Sequence, residues 1–303
     1  MPILSVENLS KNYGSIAALK DISFTVPQKT VFGILGPNGS GKTTLLGIVM
    51  DVLKASSGNF LWNGKPGSQS QRKHIGTLLE TPNFYPYLSA EDNLKIAAEI
   101  KGHGKNDIPK VLQLVNLYER RKSKFNTYSL GMKQRLAIAS TLLGDPEILV
   151  FDEPTNGLDP AGIAEIRDLI QQLNKDGKTI IMASHILDEV EKVCTHVAII
   201  QRGVLKMVGS VSEVLATPDQ NKLIMEVASE DLALLKSALD QMNGISEIKI
   251  IDHELQLTCD ETMSAAKINQ YCFAKGIILS RLHVKRKSLE SRFLEITGNQ
   301  SDR

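Results

Sequence analysis

Gly36-Pro37-Asn38-Gly39-Ser40-Gly41-Lys42-Thr43 fits the pattern G-x-x-x-x-G-K-[ST] of a phosphate-binding loop. Each residue type suits that task. Glycines accept φ > 0, so successive N–H groups can converge on phosphate oxygens. The loop opens a helix predicted over residues 43–50, whose amino-terminal dipole favours the same negative charge. Lys42 supplies a point charge for β- and γ-phosphates, the Thr43 hydroxyl a ligand for Mg²⁺, and Thr44 a hydrogen bond to an α-phosphate. Upstream, Val31–Leu35 is a short apolar run that stops at Gly36, a strand delivering the chain to the loop. Strand, glycine loop and helix together form the context that the pattern requires.

Two further apolar runs end in chemistry. Residues 148–153 read Ile-Leu-Val-Phe-Asp-Glu, a hydrophobic strand closing on two carboxylates. Strand alternation is expected to send Asp152 and Glu153 to different places. That suits Asp152 to hold Mg²⁺ through water, and Glu153 to polarise an attacking water as general base. His185 follows the apolar run 179–183. It therefore lies past the carboxyl end of a strand, where α/β sheets build ligand sites, with an expected role in holding the γ-phosphate and orienting the water.

Outward from these motifs, residues 1–215 alternate short apolar runs with longer amphipathic ones, the signature of an α/β fold with a largely parallel core sheet. Early strands are predicted at 3–6 and 22–26, with a turn at Tyr13-Gly14, and another at 197–201. Between 89 and 124 the apolar residues Leu94, Ala97, Ala98, Val111, Leu112, Leu114, Val115 and Leu117 follow helical spacing, which places a helical subdomain at about 89–140. The character changes near Thr217-Pro218-Asp219. From there the pattern predicts strand 223–227, helix 231–242, strands 245–251 and 254–258, helix 265–275 and strand 277–284, with a closing helix over 289–297. This βαββαβ order predicts a small α+β, ferredoxin-like domain over 216–303.

Composition excludes several classes. With 35 basic and 34 acidic residues the net charge is +1, so no long-range field is available to hold nucleic acid. Cys194, Cys259 and Cys272 form no CxxC pair and are expected as free thiols in a reducing compartment. The amino terminus lacks a signal-peptide pattern, and no apolar run approaches the ~18–20 residues that span a bilayer. A cytoplasmic location is the expectation.

Given these motifs, Tyr128-Ser129-Leu130-Gly131-Met132-Lys133-Gln134-Arg135 resembles, in variant form, the LSGGQ signature of the ATP-binding-cassette (ABC) transporter subunits. Asn156-Gly157-Leu158-Asp159 is similar to the D-loop of that family, His185 to its switch histidine, and Tyr13 stands where the family places an aromatic against adenine. The resemblance covers about residues 1–215 and implies a P-loop NTPase that binds ATP and Mg²⁺. It further implies head-to-tail pairing with a second cassette, so that Ser129, Leu130, Gly131, Met132, Lys133 and Gln134 face the opposite ATP. Ser129 and the Gly131 N–H would donate to its γ-phosphate, ahead of a helix beginning near Met132. Met132 replaces the usual second glycine.

Where the family carries a Q-loop glutamine, this sequence has Glu80. A carboxylate there brings a formal charge beside metal and phosphates. The segment from Leu79 to Leu94 resembles bacitracin-resistance and lantibiotic-immunity exporter subunits, in which this acid is called an E-loop. The resemblance implies Glu80 as a catalytic and Mg²⁺-binding residue, and export of an antimicrobial peptide, drug or lipid-like compound. It also implies an integral membrane permease as partner, with the chain peripheral on the inner face of the membrane. Phe84, Tyr85, Tyr87 and Leu88 fit either core packing or a groove for that permease. The alternatives are an importer subunit, or a non-transport ATPase acting on ribosomes or DNA; one uninterrupted cassette and a neutral charge disfavour the latter.

Overall fold

The computed structural model describes residues 1–79, 83–215, 222–260, 262–285 and 288–298. The Glu80 expectation falls outside the described residues. Two compact units emerge, one of Met1–Val214 with Arg292–Arg303, the other of Leu215–Ser291.

In the first unit, β1 (Leu4–Tyr13) and β2 (Ile16–Val26) form a hairpin, β3 (Val31–Leu35) leads to α1 (Lys42–Val49), and β4 (Ser57–Trp62) pairs with β5 (Lys65–Pro66). Then come α2 (Gln69–Arg72), β6 (Ile75–Leu78), and the helices α3 (Ala90–Lys101), α4 (Ile108–Leu114) and α5 (Leu130–Thr141). The remainder is β7 (Ile148–Asp152), α6 (Pro160–Lys175), β8 (Thr179–Ser184), α7 (Leu187–Val193), β9 (His196–Gln201), β10 (Val204–Ser210) and α8 (Val211–Leu215).

The central sheet has the order β10-β9-β3-β8-β7-β6 and is parallel except for β10. Every residue of β3, β7 and β8 is buried. That explains their unbroken apolar runs, since a parallel strand covered on both faces has no polar side to alternate with. The hairpin strands belong instead to an antiparallel sheet, β2-β1-β4-β5. Strand β2 alternates exposed and buried residues, so its apolar signal is diluted and the sequence shows only its last five residues. Between the two sheets lies α1, with Leu45, Leu46 and Ile48 in one cluster with Leu9, Ile22, Ile34 and Ile181. Buried Trp62 donates its indole N–H to the carbonyl of Val49 (2.9 Å), which anchors the carboxyl end of α1 and leaves its amino end facing the loop.

The second unit contains β11 (Lys222–Ser229), α9 (Leu232–Leu239), β12 (Ile245–Ile251), β13 (Glu254–Asp260), α10 (Ala265–Ala274) and β14 (Leu279–Lys285). Its antiparallel sheet has the order β12-β13-β11-β14, the split-βαβ arrangement. Leu235, Leu239, Ile268 and Cys272 of the helices pack on Met225, Val227, Leu255 and Leu257 of the strands. The last helix, α11, spans Leu289–Thr297. The sequence places all of 216–303 in one domain, whereas the chain from Arg292 returns to the first unit. There Arg292 Nε donates to Val214 O (3.1 Å) and Gln201 Nε2 to Thr297 O (3.1 Å).

Candidate functional site

The loop after β3 is shaped by its glycines. Gly41 has φ +107° and caps α1 without any side-chain bond to the helix. A Cβ at Gly41 would sit 2.6 Å from the carbonyl oxygen of Ala18, and one at Gly36 would collide with Ile200 O. No acidic residue stands in the first turn of α1. The unpaired amides there are consequently left for an external anion. Lys42 is only 5% exposed, and its ammonium donates to Gly36 O (2.9 Å) and Pro37 O (3.2 Å). Ser40 Oγ is buried with no protein partner among the described residues. An orphaned hydroxyl within this glycine loop fits a ligand rich in oxygen acceptors.

Asp152 is the last residue of β7 and is buried. Glu153 leaves the strand with φ +49°, and its N–H donates to Ala183 O of β8 (3.0 Å). Its divergence from Asp152 therefore comes from a left-handed turn and not, as expected, from strand alternation. The turn carries the carboxylate back over the loop. Oε1 lies 3.5 Å from Lys42 Nζ, and Oε2 lies 2.8 Å from His185 Nδ1. A non-glycine residue at such φ costs about 1–3 kcal/mol and persists only where its surroundings impose it. Because β3, β8 and β7 are neighbours in the sheet, their carboxyl ends bring Lys42, His185 and Glu153 into one chain of contacts.

Ser129 stands apart from that chain. It caps α5, its Oγ accepting from Met132 N (3.3 Å). Helix α5 begins at Leu130 rather than near Met132, so Gly131 lies within the first turn. Space around Gly131 is open within 4 Å, and Leu130 is 54% exposed. Lys133 Nζ lies 5.4 Å from the Phe125 ring centroid, and Gln134 is buried. Asp159 caps α6 by accepting from Gly162 N (2.9 Å). Tyr13, at the end of β1, is 45% exposed, with Lys11 Nζ 5.0 Å from its ring centroid.

The family profile described as "ABC transporter" matches residues 19–156. The uncharacterized ABC transporter ATP-binding protein YhcH of Bacillus subtilis (strain 168) is 39% identical over 99% of this chain and 97% of its own length. The chain belongs to the ABC transporter ATP-binding proteins. The bacitracin transport ATP-binding protein BcrA of Enterococcus faecalis is 32% identical, covering 98% of this chain and 96% of its own. Among solved structures, the dimeric post-hydrolysis state of the cassette MJ0796 bound to ADP and Pi is 25% identical. Its TM-score is 0.61, over 69% of this chain and 98% of that one.

This ABC ATPase binds nucleotide and hydrolyses it. Thr43, exposed at the start of α1, and Asp152, at the end of β7, offer hard oxygen donors of the kind Mg²⁺ takes. One part of the site escaped the sequence. Arg202-Gly203, the turn between β9 and β10, receives the backbone of the cassette's phosphate loop. Gly203 N donates to Ser40 O (3.0 Å), and Lys20 N donates to Gly203 O (2.7 Å). The apolar run ending at Arg202-Gly203 reveals a turn, but nothing in it names a partner so distant along the chain.

Proposed function

We infer that this chain powers export of an antimicrobial peptide or similar amphipathic compound through a separate membrane permease. The observation that carries the ATP-hydrolysing part of the reading is the contact chain Lys42–Glu153–His185 at the sheet's carboxyl edge. Full-length likeness to a bacitracin transport ATP-binding protein supports the class of substrate. Among the described residues no helix is long and apolar enough to cross a membrane, consistent with a cassette that reaches the inner face of the membrane through its partner.

In this reading Lys42 exchanges its two loop carbonyls for the β- and γ-phosphates, and the amides of Gly39 to Thr44 complete the cradle. Tyr13 stacks on the adenine. Thr43 and Asp152 would hold Mg²⁺, a role that the resemblance also gives to Glu80. Glu153 accepts a proton from the attacking water, and His185 holds that carboxylate in place. Ser129 and the Gly131 N–H serve the ATP of a second copy, an anion at a helix start, while Asp159 shapes the loop between the two sites.

The test uses a susceptible host carrying the chain together with the membrane protein that co-purifies with it. Tolerance to bacitracin should rise and return to baseline with Glu153→Gln. Failure to co-purify any membrane protein, or unchanged tolerance to bacitracin and lantibiotics, overturns the export reading.

A further inference from the structure

Among the described residues, strand β12 is an edge of the second unit's sheet, paired on one side only, with β13. An edge strand presents a row of unpaired N–H and C=O groups, and natural proteins usually blunt it with charged side chains, proline, bulges or brevity. Here the seven residues Ile245-Ser246-Glu247-Ile248-Lys249-Ile250-Ile251 hold four isoleucines and no proline. Ile250 is 62% and Ile251 45% exposed. The two charges neutralise one another, Lys249 Nζ lying 3.0 Å from Glu247 Oε1.

The order of those charges is informative. If two copies of β12 pair antiparallel about a two-fold axis through Ile248, Glu247 of each faces Lys249 of the other, and Ser246 faces Ile250. Moving the axis by one residue either way sets Glu247 against Glu247 or Lys249 against Lys249. Like charges directly opposite destabilise a ladder, and opposite charges stabilise it. A single register is thus favoured and its in-phase neighbours are penalised, which is how pairing specificity is built. The other edge, β14, lacks this property, because an axis through Leu282 sets Arg281 opposite His283 with no acid to match.

We propose that β12 is a homotypic pairing edge, which joins the second units of two copies into one continuous antiparallel sheet. The occupant is a second copy of this chain, identified by the self-complementarity of Glu247 and Lys249. This goes beyond the transport reading and does not depend on it, since the contact needs neither nucleotide nor the phosphate loop. The ladder irregularity between Ile245 and Glu247 keeps the pairing short, so a measurement that traps transient contacts is required.

Disulfide trapping of the full chain without nucleotide supplies it. The natural Cys194, Cys259 and Cys272 are buried and do not compete. In Ile248→Cys the two thiols meet on the axis, and oxidation should give a crosslinked dimer rapidly. In Ile250→Cys the site is more exposed, yet the two copies lie four residues apart, about 13 Å at ~3.3 Å per residue, and crosslinking should be at least about tenfold slower, as its reach exceeds disulfide geometry. Adding Glu247→Lys to Ile248→Cys should slow trapping about tenfold, and adding Lys249→Glu as well should restore it. Equal rates at 248 and 250, no crosslink at 248, or no rescue by the charge swap would each overturn the proposal. Circular dichroism confirms that each variant keeps its fold.

Discussion

Glu153 joins a buried ammonium on one side to an imidazole on the other, through a backbone turn that its own side chain does nothing to favour. Glu153→Gln keeps the shape and an acceptor for His185, but removes the basic carboxylate. Hydrolysis should slow by about 10²–10⁴-fold, while ATP still binds and an ATP-bound dimer accumulates in size-exclusion chromatography. Unchanged turnover would remove Glu153 from the role of base. Lys42 makes charge-assisted bonds inside the loop, and Lys42→Ala should weaken ATP affinity about 10–100-fold, read by equilibrium dialysis. At this scale the sequence was legible in residue type and not in conformation. The pair Asp152-Glu153 was identified from a strand ending in acids, whereas the φ of +49° depends on the Ala183 carbonyl of a strand that no local pattern ties to it. The Arg202-Gly203 brace was hidden for the same reason.

Lys101 shows what burial does to a charge at the level of helices. It ends α3, and its ammonium donates to Ser140 O (2.9 Å) and Thr141 O (3.1 Å) at the carboxyl end of α5. Burial pushes its pKa down from 10.5 to about 8. Between those two values the unfolded chain binds a proton that the folded chain has released, so this group's contribution to stability rises with pH. Below pH 8 both states are protonated and the cost of burying the charge is carried in full. Measured against Lys101→Met, wild-type stability should therefore improve from pH 8 toward pH 10, by at most about 3 kcal/mol. A flat difference in Tm would mean that the helix-end carbonyls offset the burial completely. The helices α3 and α4 were legible from the spacing of their apolar residues, whereas α6 was not read as a separate helix. Strand adjacency was not legible: β3 lies between β8 and β9, an order decided by crossover packing rather than by periodicity. The β1–β2 hairpin was half seen because its exposed face alternates polar residues.

Across the whole molecule the two kinds of core left different traces in the sequence. The second unit's βαββαβ order was readable because its strands alternate and its helices are amphipathic, while the return of the tail from Arg292 rests on two bonds accepted by backbone carbonyls that no composition change announces. The signature segment bears on the largest scale of all. Ser129, Leu130 and Gly131 are open at the start of α5, while the contacts of Lys42 run to Glu153 and not to them. In the proposed reading a second copy completes a site so divided, and complementation tests this directly. Lys42→Ala and Ser129→Arg chains should each be inactive alone. Mixed in equal amounts, half of the dimers combine one of each, and such a dimer keeps one intact site, made from the loop of the Ser129→Arg chain and the signature of the Lys42→Ala chain. The mixture should recover about a quarter of wild-type ATPase activity, the statistical share for a two-fold assembly of independent sites. No recovery, with dimerisation intact by ultracentrifugation, would place the signature over its own loop instead. Full activity in Ser129→Arg alone would remove that segment from catalysis.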